Sequence, residues 1–253
     1  LYYLVKKFIF LFFIDKGIIQ LKMKKLIVLT GAGISAESGI KTFRDAGGLW
    51  EGHDIMQVAS PEGWKADPAL VLDFYNQRRA QLNEVEPNDG HRILVDLENY
   101  FDVTIVTQNV DDLHERAGSS NVIHLHGELR KVRSVHDDQH ILEWHNDLHL
   151  GDLGNEGHQL RPHIVWFGEA VPMMEKALME VADADVVIVV GTSLQVYPAA
   201  GLLSYAPYHA QTFYVDPKPN ISYEISQRKE IQIVPEIGSK GLETVRNILV
   251  GRN

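Results

Sequence analysis

No cysteine occurs anywhere in the 253 residues. That absence excludes disulfides, thiol catalysis and thiolate metal sites together, while saying nothing about compartment. A basic excess is also missing. The formal charge is −10, which argues against a nucleic-acid surface but leaves room for a locally basic pocket that takes an anionic substrate. The N-terminal apolar run, Phe8 to Ile14, is too short to span a bilayer. What is plentiful is hydrophobic side chain, 45% of the residues, enough to fill one domain or two small lobes.

Residues 1–22 differ in character from the rest of the chain, being dominated by Leu, Ile, Phe, Tyr and Lys. Lys6-Lys7 before an apolar run could open a signal or anchor, but no small-residue cleavage site follows. Met23-Lys24-Lys25 stands directly before the first strand, so 1–22 is expected to be an extension outside the functional protein. The functional chain, 23–250, is then expected in the cytoplasm, with no membrane or nucleic-acid partner.

The chain is organised around Lys25 to Asp45. Leu26-Ile27-Val28-Leu29 has the length and β-branched centre of a buried parallel strand. It breaks at Thr30-Gly31-Ala32-Gly33, and Ser35, Glu37 and Ser38 suit the first turn of a helix. Strand, glycine turn and helix form the dinucleotide-binding pattern: Gly31 for the tight turn, Gly33 for close approach of a pyrophosphate, and Ala36 at the third small position. Alone, such a turn is weak, since many buried strands end in glycine.

Further strands are expected at Val103–Val106, Val122 onward, Val186–Val190, Thr212–Val215 and Ile231–Val234. Between them lie helices at His91–Asn99, Asp112–Ala117 and Pro172–Ala182, and a closing helix runs to about Val250. Ser60 before Pro61, and Asp67 before Pro68, read as helix N-caps with proline at the first helical position. Asp112 reads equally as an N-cap. Ile141, Leu142, Trp144 and Leu148 fit a helical stripe.

Five words in order carry a resemblance: GAGISAESGI with TFRD, Gln108-Asn109-Val110-Asp111, His124-Leu125-His126-Gly127, Val165-Trp166-Phe167-Gly168-Glu169, and Gly191-Thr192-Ser193. Together they resemble the sirtuins, the NAD-dependent protein deacylases, over about Lys24 to Val250. The resemblance implies an α/β fold: a doubly wound parallel, Rossmann-like sheet with a small second lobe formed by two insertions. The large lobe is expected at about 23–40, 88–126 and 163–250, and the small lobe at about 41–87 and 127–162.

It also implies roles. NAD, a consumed co-substrate, is held by Gly31, Ala32, Gly33, Ser35, Phe43, Arg44, Asp45, Trp50, Gln108, Asn109, Val110, Asp111, Gly191, Thr192 and Ser193. Asp216, where relatives often show Asn-x-Glu, and Lys240 in an adenine-side loop are looser matches. Phe43 guards the nicotinamide pocket. Asn109 and Asp111 hold the nicotinamide end, and His126 is the general base toward a ribose hydroxyl, work that suits a near-neutral pKa. His124 is read as structural. Val165, Phe167, Gly168 and Glu169 form one side of a slot into which the substrate peptide adds as a strand, and Val196 and Tyr197 form the other. Trp166-Phe167 also reads as plain core.

Tyr75 and Arg78 are three apart on one helix and share a face. A guanidinium fork beside a phenol can hold a carboxylate, although a packing Tyr beside a solvated Arg is the commoner pairing. Tyr-x-x-Arg here resembles the sirtuin branch that prefers succinyl, malonyl and glutaryl lysine. The chain departs from the family at 128–160, where relatives carry two Cys-x-x-Cys pairs around a structural zinc. His136, His140, His145, His149 and His158 lie in this stretch without paired-ligand rhythm, so no metal is expected.

The reading is therefore NAD-dependent deacylation of acylated-lysine proteins or peptides. ADP-ribosyl transfer to protein, or NAD hydrolysis in the same pocket, is the alternative enzyme. A non-catalytic NAD-sensing module is the alternative of another class.

Overall fold

The structure, a computed structural model, describes residues 22–42 and 53–251 together with the backbone of Ile9–Phe10. Phe43, Arg44, Asp45 and Trp50 lie outside the described residues. Two short strands, β1 (Ile9–Phe10) and β2 (Lys22–Met23), pair antiparallel.

Six strands build the main sheet: β3 (Lys25–Thr30), β4 (Asp102–Thr107), β5 (Val122–His124), β9 (Val186–Val190), β10 (Gln211–Val215) and β11 (Ile231–Val234). Their spatial order is β11-β10-β9-β3-β4-β5, and every pairing is parallel. Strand order therefore reverses between β3 and β9, the switch point outside which doubly wound sheets bind ligands. The central strands are apolar throughout because both faces are covered. One face packs on α6 (Met174–Val181) and a 3-10 segment (Ala199–Tyr205), the other on α4 (Asp89–Leu97) and α8 (Gly238–Val250).

A small lobe sits on the large one. It contains α1 (Ile55–Val58), α2 (Pro61–Ala66), α3 (Pro68–Gln81) and a three-stranded antiparallel sheet, β7-β6-β8, made of β6 (Gly127–Ser134), β7 (Ile141–Glu143) and β8 (Leu160–Ile164). Ser60 and Asp67 cap α2 and α3 as expected, accepting from Gly63 N at 2.9 Å and Leu70 N at 3.0 Å. Among the described residues, no helix is long and apolar enough to cross a membrane.

Three local expectations are corrected. Residues after the glycine turn form two 3-10 segments, Ala32–Ile34 and Ala36–Ser38, because the chain is held short against β9 and left-handed Gly39 ends it. Ile141–Glu143 is an edge strand paired with Lys131–Arg133, so cross-strand pairing outweighed the helical stripe. Asp112 makes no cap bond. Its carboxylate turns to Arg130 at 3.0 Å, and Asp111 Oδ1 instead accepts from Leu113 N at the start of α5 (Leu113–Ala117).

Without thiolates, the small lobe is tied by a buried guanidinium. Arg79, 1% exposed, donates from Nε to Leu129 O at 2.8 Å and from Nη1 to Asn76 Oδ1 at 2.7 Å and Asn146 O at 3.3 Å. Asn76 also grips the backbone of Leu148, donating to its carbonyl and accepting from its N–H. One helix turn thus pins β6 and the 144–150 loop together, beside a small apolar cluster of Leu72, Val132, Leu148 and Leu160. Burial pulls the Arg79 pKa down to about 10, which leaves it protonated at neutral pH. Arg79→Met would keep the stem, remove three hydrogen bonds and strand the Leu129 and Asn146 carbonyls, while Asn76 Oδ1 keeps Leu148 N. At about 1 kcal/mol for each lost bond, and roughly 2–4 °C per kcal/mol in a chain of this size, the melting temperature is expected to fall by about 6–12 °C. A melting curve within 2 °C or so of wild type would remove Arg79 from this role.

Candidate active site

The carboxyl ends of β3, β4, β5 and β9 meet at the switch point. The turn after β3 lies directly on the turn after β9: Gly31 N donates to Val190 O at 3.2 Å, and Gly33 N to Gly191 O at 2.8 Å. A Cβ on Gly33 would stand 2.6 Å from Gly191 Cα, so only glycine allows this approach. Gly191 itself has φ +65. Gln108, at the end of β4, donates through its side chain to Thr192 Oγ1 at 3.1 Å, and its backbone N–H donates to Thr30 O. Ala32, Ser193 and Val110 line the same edges by sequence.

Behind this edge runs a buried relay. Asn109 Nδ2 donates to Ser35 Oγ at 3.1 Å, and Ser35 Oγ donates to Asp111 Oδ2 at 3.0 Å. Asn109 and Asp111 are 7% and 5% exposed, and Ser35 is fully buried. The relay uses one Asn109 amide proton and leaves the Asn109 side-chain oxygen as acceptor. Burial pushes the Asp111 carboxyl up to about 6, against the opposing bonds from Leu113 N and Ser35.

Two histidines alternate on β5 and the residues after it, with different fates. His124 is clamped between Asn109 O at 3.1 Å and Glu115 Oε1 at 2.7 Å; the Glu115 partnership outweighs burial and raises its pKa. It is structural. His126 Nδ1 lies 3.1 Å from Gln108 O, a carbonyl that can only accept. Nδ1 therefore carries the proton and Nε2 presents its lone pair. Burial lowers the His126 pKa, so the ring is neutral at pH 7. Gly127 follows because the chain turns there with φ +81, and a Cβ would run into His163 O.

The remaining candidates fall around this centre. Val165 N donates to His126 O, and Phe167 N to Ala59 O, both at 2.9 Å, which ties the Val165–Gly168 segment to His126 and to the small lobe. Glu169 accepts both Nη groups of Arg161, at 2.6 and 3.1 Å, and Trp166 N at 2.8 Å. Tyr197, 64% exposed beside half-buried Val196, donates to Glu224 Oε1 at 2.5 Å. Asp216 is buried at the end of β10, its Oδ1 accepting from Lys218 N. Gly238-Ser239-Lys240 is not a loop but the first turn of α8, because Glu37 caps it: Ser239 N and Oγ both donate to the Glu37 carboxylate. Lys240 is exposed there.

Tyr75 is 3% exposed, and its hydroxyl accepts from Trp166 Nε1 at 3.1 Å. Arg78 lies over the Phe74 ring, 4.2 Å from its centroid, and acts electrostatically on the Tyr75 hydroxyl. Sequence reasoning passes over Arg79, hidden beside Arg78, and its signal is Asn76 three residues earlier on the same face. Asn88 is passed over too; its Nδ2 donates to Ile34 O and Ser38 Oγ and so holds the glycine turn from below. Among the described residues, no group of three or more His, Asp or Glu side chains is placed to hold a metal. His136 and His158 meet edge-to-face, their ring centroids 4.5 Å apart.

A parallel sheet with paired glycine turns at its switch point, facing a neutral histidine, defines a dinucleotide-binding α/β protein. The Sir2 family profile matches residues 31–198, and the chain belongs to that family, the sirtuins. Among curated relatives, an NAD-dependent protein deacylase of Helicobacter pylori is 63% identical over 196 residues, covering 78% of this chain and 86% of its own. One from Bacteroides thetaiotaomicron is 53% identical over 234 residues, covering 90% and 99%. Among solved structures, a Sir2 homologue in complex with NAD superposes with a TM-score of 0.79 at 36% identity, over 89% of each chain. A Sir2 protein bound to acetylated peptide superposes with a TM-score of 0.73 at 26% identity, over 90% of this chain and 94% of that one.

The Asp111 environment gives a test by pH. Unfolded, an aspartate titrates near 3.9; folded, Asp111 titrates at about 6. As pH rises from about 4 to 6 the unfolded chain loses this proton first, so stability falls across that window and stays lowered above it. Urea unfolding at pH 4.5 and 7 should show wild type losing on the order of 2 kcal/mol more than Asp111→Asn. Parallel losses in the two proteins would show that Asp111 is not held in a costly charged state.

Proposed function

We propose that this protein is an NAD-dependent protein-lysine deacylase that favours acyl groups ending in a carboxylate, succinyl, malonyl or glutaryl, over acetyl. The observation that carries the deacylase reading is His126. It is half-buried and neutral, with Nδ1 committed to Gln108 O and Nε2 left as a base, beside the Asn109–Ser35–Asp111 relay. A nucleotide sensor needs no such base.

The residues suit NAD. The packed turns of Gly31, Ala32 and Gly33 against Gly191, Thr192 and Ser193 give a small-residue edge for a pyrophosphate, with Gln108 beside it for a ribose. Asn109 and Asp111, with Val110 between them, take the nicotinamide end, and Asp216 and Lys240 take the adenosine side. When bound, NAD supplies an electrophilic ribose carbon with nicotinamide as leaving group. His126 Nε2 takes a proton from a ribose hydroxyl, and its imidazolium is stabilised by the Gln108 carbonyl on Nδ1. The relay fixes Asn109 so that its side-chain oxygen can orient the reacting groups. The peptide is proposed to add as a strand between Val165–Glu169 and Val196–Tyr197, the mode for which a sheet edge near the base is suited.

The acyl preference rests on Tyr75 and Arg78. Desolvation raises the Tyr75 pKa, so the phenol stays a donor at every physiological pH. Arg78 adds a permanent positive charge on the same helix face.

His126→Ala is expected to cut turnover by about a hundredfold to ten-thousandfold while NAD still binds. Near-normal release of O-acyl-ADP-ribose by the mutant, followed by mass spectrometry, would take His126 out of the chemistry. Free ADP-ribose as the wild-type product would point to NAD hydrolysis. For the acyl group, Arg78→Met should lower the succinyl-to-acetyl ratio of kcat/KM by roughly one to two powers of ten, the worth of a charged hydrogen bond. Equal losses on both substrates would mean that Arg78 is structural.

A further inference from the structure

We infer that Trp166 is a specificity-positioning residue: its indole N–H compels the Tyr75 hydroxyl to act as a donor toward the acyl carboxylate. This inference rests on the proposed acyl preference and assigns a role to a residue that reads as plain core in the sequence.

A phenol has one proton and two lone pairs, so it recognises a carboxylate only if that proton is not spent elsewhere. A competitor for that proton is Glu169, a carboxylate that acts on Tyr75 electrostatically. Three of its roughly four acceptor sites are already taken. It accepts Arg161 Nη1 at 2.6 Å and Nη2 at 3.1 Å, and the Trp166 backbone N–H at 2.8 Å. The same Trp166 then donates its indole N–H to the Tyr75 oxygen at 3.1 Å. One residue thus takes an acceptor site on the neighbouring carboxylate and also fills an acceptor site on the phenol itself. A donor N–H at the oxygen turns the O–H bond away from it.

The indole is fixed in this pose. The Arg161 guanidinium lies 3.3 Å from its ring centroid on one side, the Trp64 ring packs 5.7 Å away, and Trp166 is 2% exposed. Tyr75 is itself 3% exposed, so a hydroxyl pointing the wrong way has no water to compensate for it. Preorganising the donor removes that cost before the substrate arrives, and acetyl lysine, which brings no carboxylate, gains nothing from it. Leucine or valine at this position would fill space without directing the proton.

Trp166→Phe keeps an aromatic ring and removes the N–H together with part of the indole, so the Tyr75→Phe background is needed to separate proton direction from packing. With succinyl-lysine and acetyl-lysine peptides, the succinyl-to-acetyl ratio of kcat/KM should fall about three- to tenfold, chiefly through the succinyl KM. In a Tyr75→Phe background the same change should have no further effect on the ratio, because the proton to be directed is gone. Equal losses on the two peptides, or an undiminished effect in the Tyr75→Phe background, would overturn the inference. Should Trp166→Phe not fold, the intact indole serves as probe. Its N–H proton resonance should move on succinyl peptide binding, stay still with acetyl peptide, and move upfield in Tyr75→Phe. An indole resonance indifferent to Tyr75→Phe would equally sink the idea. If instead Tyr75→Phe and Arg78→Met leave the acyl ratio unchanged, the acyl preference itself has failed. A loss with those two but not with Trp166→Phe removes Trp166 alone.

Discussion

The site hangs from the contact between two backbone turns that have no side chains between them. Gly33 N donates to Gly191 O, and neither residue could carry a Cβ without colliding with the other turn. This contact holds the ends of β3 and β9 together where strand order reverses, and the crevice exists because the helices leave in opposite directions there. Asn88 braces the turn from α4, and Gln108 braces the second turn through Thr192. Everything proposed for the nucleotide depends on that spacing.

From the turn the constraint passes inward by hydrogen bonds. Ser35 lies one turn beyond Gly33 and joins Asn109 to Asp111, so the same segment that shapes the edge also orients the polar residues on β4's end. Gln108 links the second glycine turn to His126: its side chain reaches Thr192, and its carbonyl decides which nitrogen of His126 holds the proton. His126 in turn fixes Val165 through its own carbonyl. The Val165–Glu169 segment carries Trp166, which touches Tyr75. His126, the Val165–Glu169 segment and Tyr75 are therefore one connected set of bonds, which explains how a small lobe without thiolates can still be held in register with the large one. Arg79 does this on the other side of α3, where it turns away from Arg78 into the lobe's interior.

Much of this was legible in the residues. The apolar runs of β3, β4 and β9 stand out because parallel strands buried on both faces need no alternation. Ser60 and Asp67 announced their helices because an N-cap followed by proline is a local signal, complete within four residues. The misreadings share a cause. The stripe at 141–148 has helical spacing, but Ile141–Glu143 found a partner strand in β6, and pairing is not written in the segment itself. Asp112 looks like a cap from its neighbours alone, yet Arg130, distant in sequence, draws its carboxylate away. Gly238–Lys240 reads as a loop until Glu37 arrives to cap it.

The amino-acid sequence by itself determined the strand and turn chemistry, the order of the motifs, the residue types able to act as base and clamp, and the exclusion of thiolate zinc. These are properties of residues and of their near neighbours. Only the tertiary structure decided the roles that depend on distant partners. His124 and His126 are two residues apart and alike in chemistry; Glu115 grips one and raises its pKa, and Gln108 O fixes the proton of the other on Nδ1 and leaves Nε2 unprotonated. Arg78 and Arg79 are adjacent and identical; helix geometry turns them about 100° apart, so one faces Tyr75 and the other is buried against Leu129 O. A side chain's chemistry is local, but its protonation and its partners are set by groups that folding brings from elsewhere in the chain.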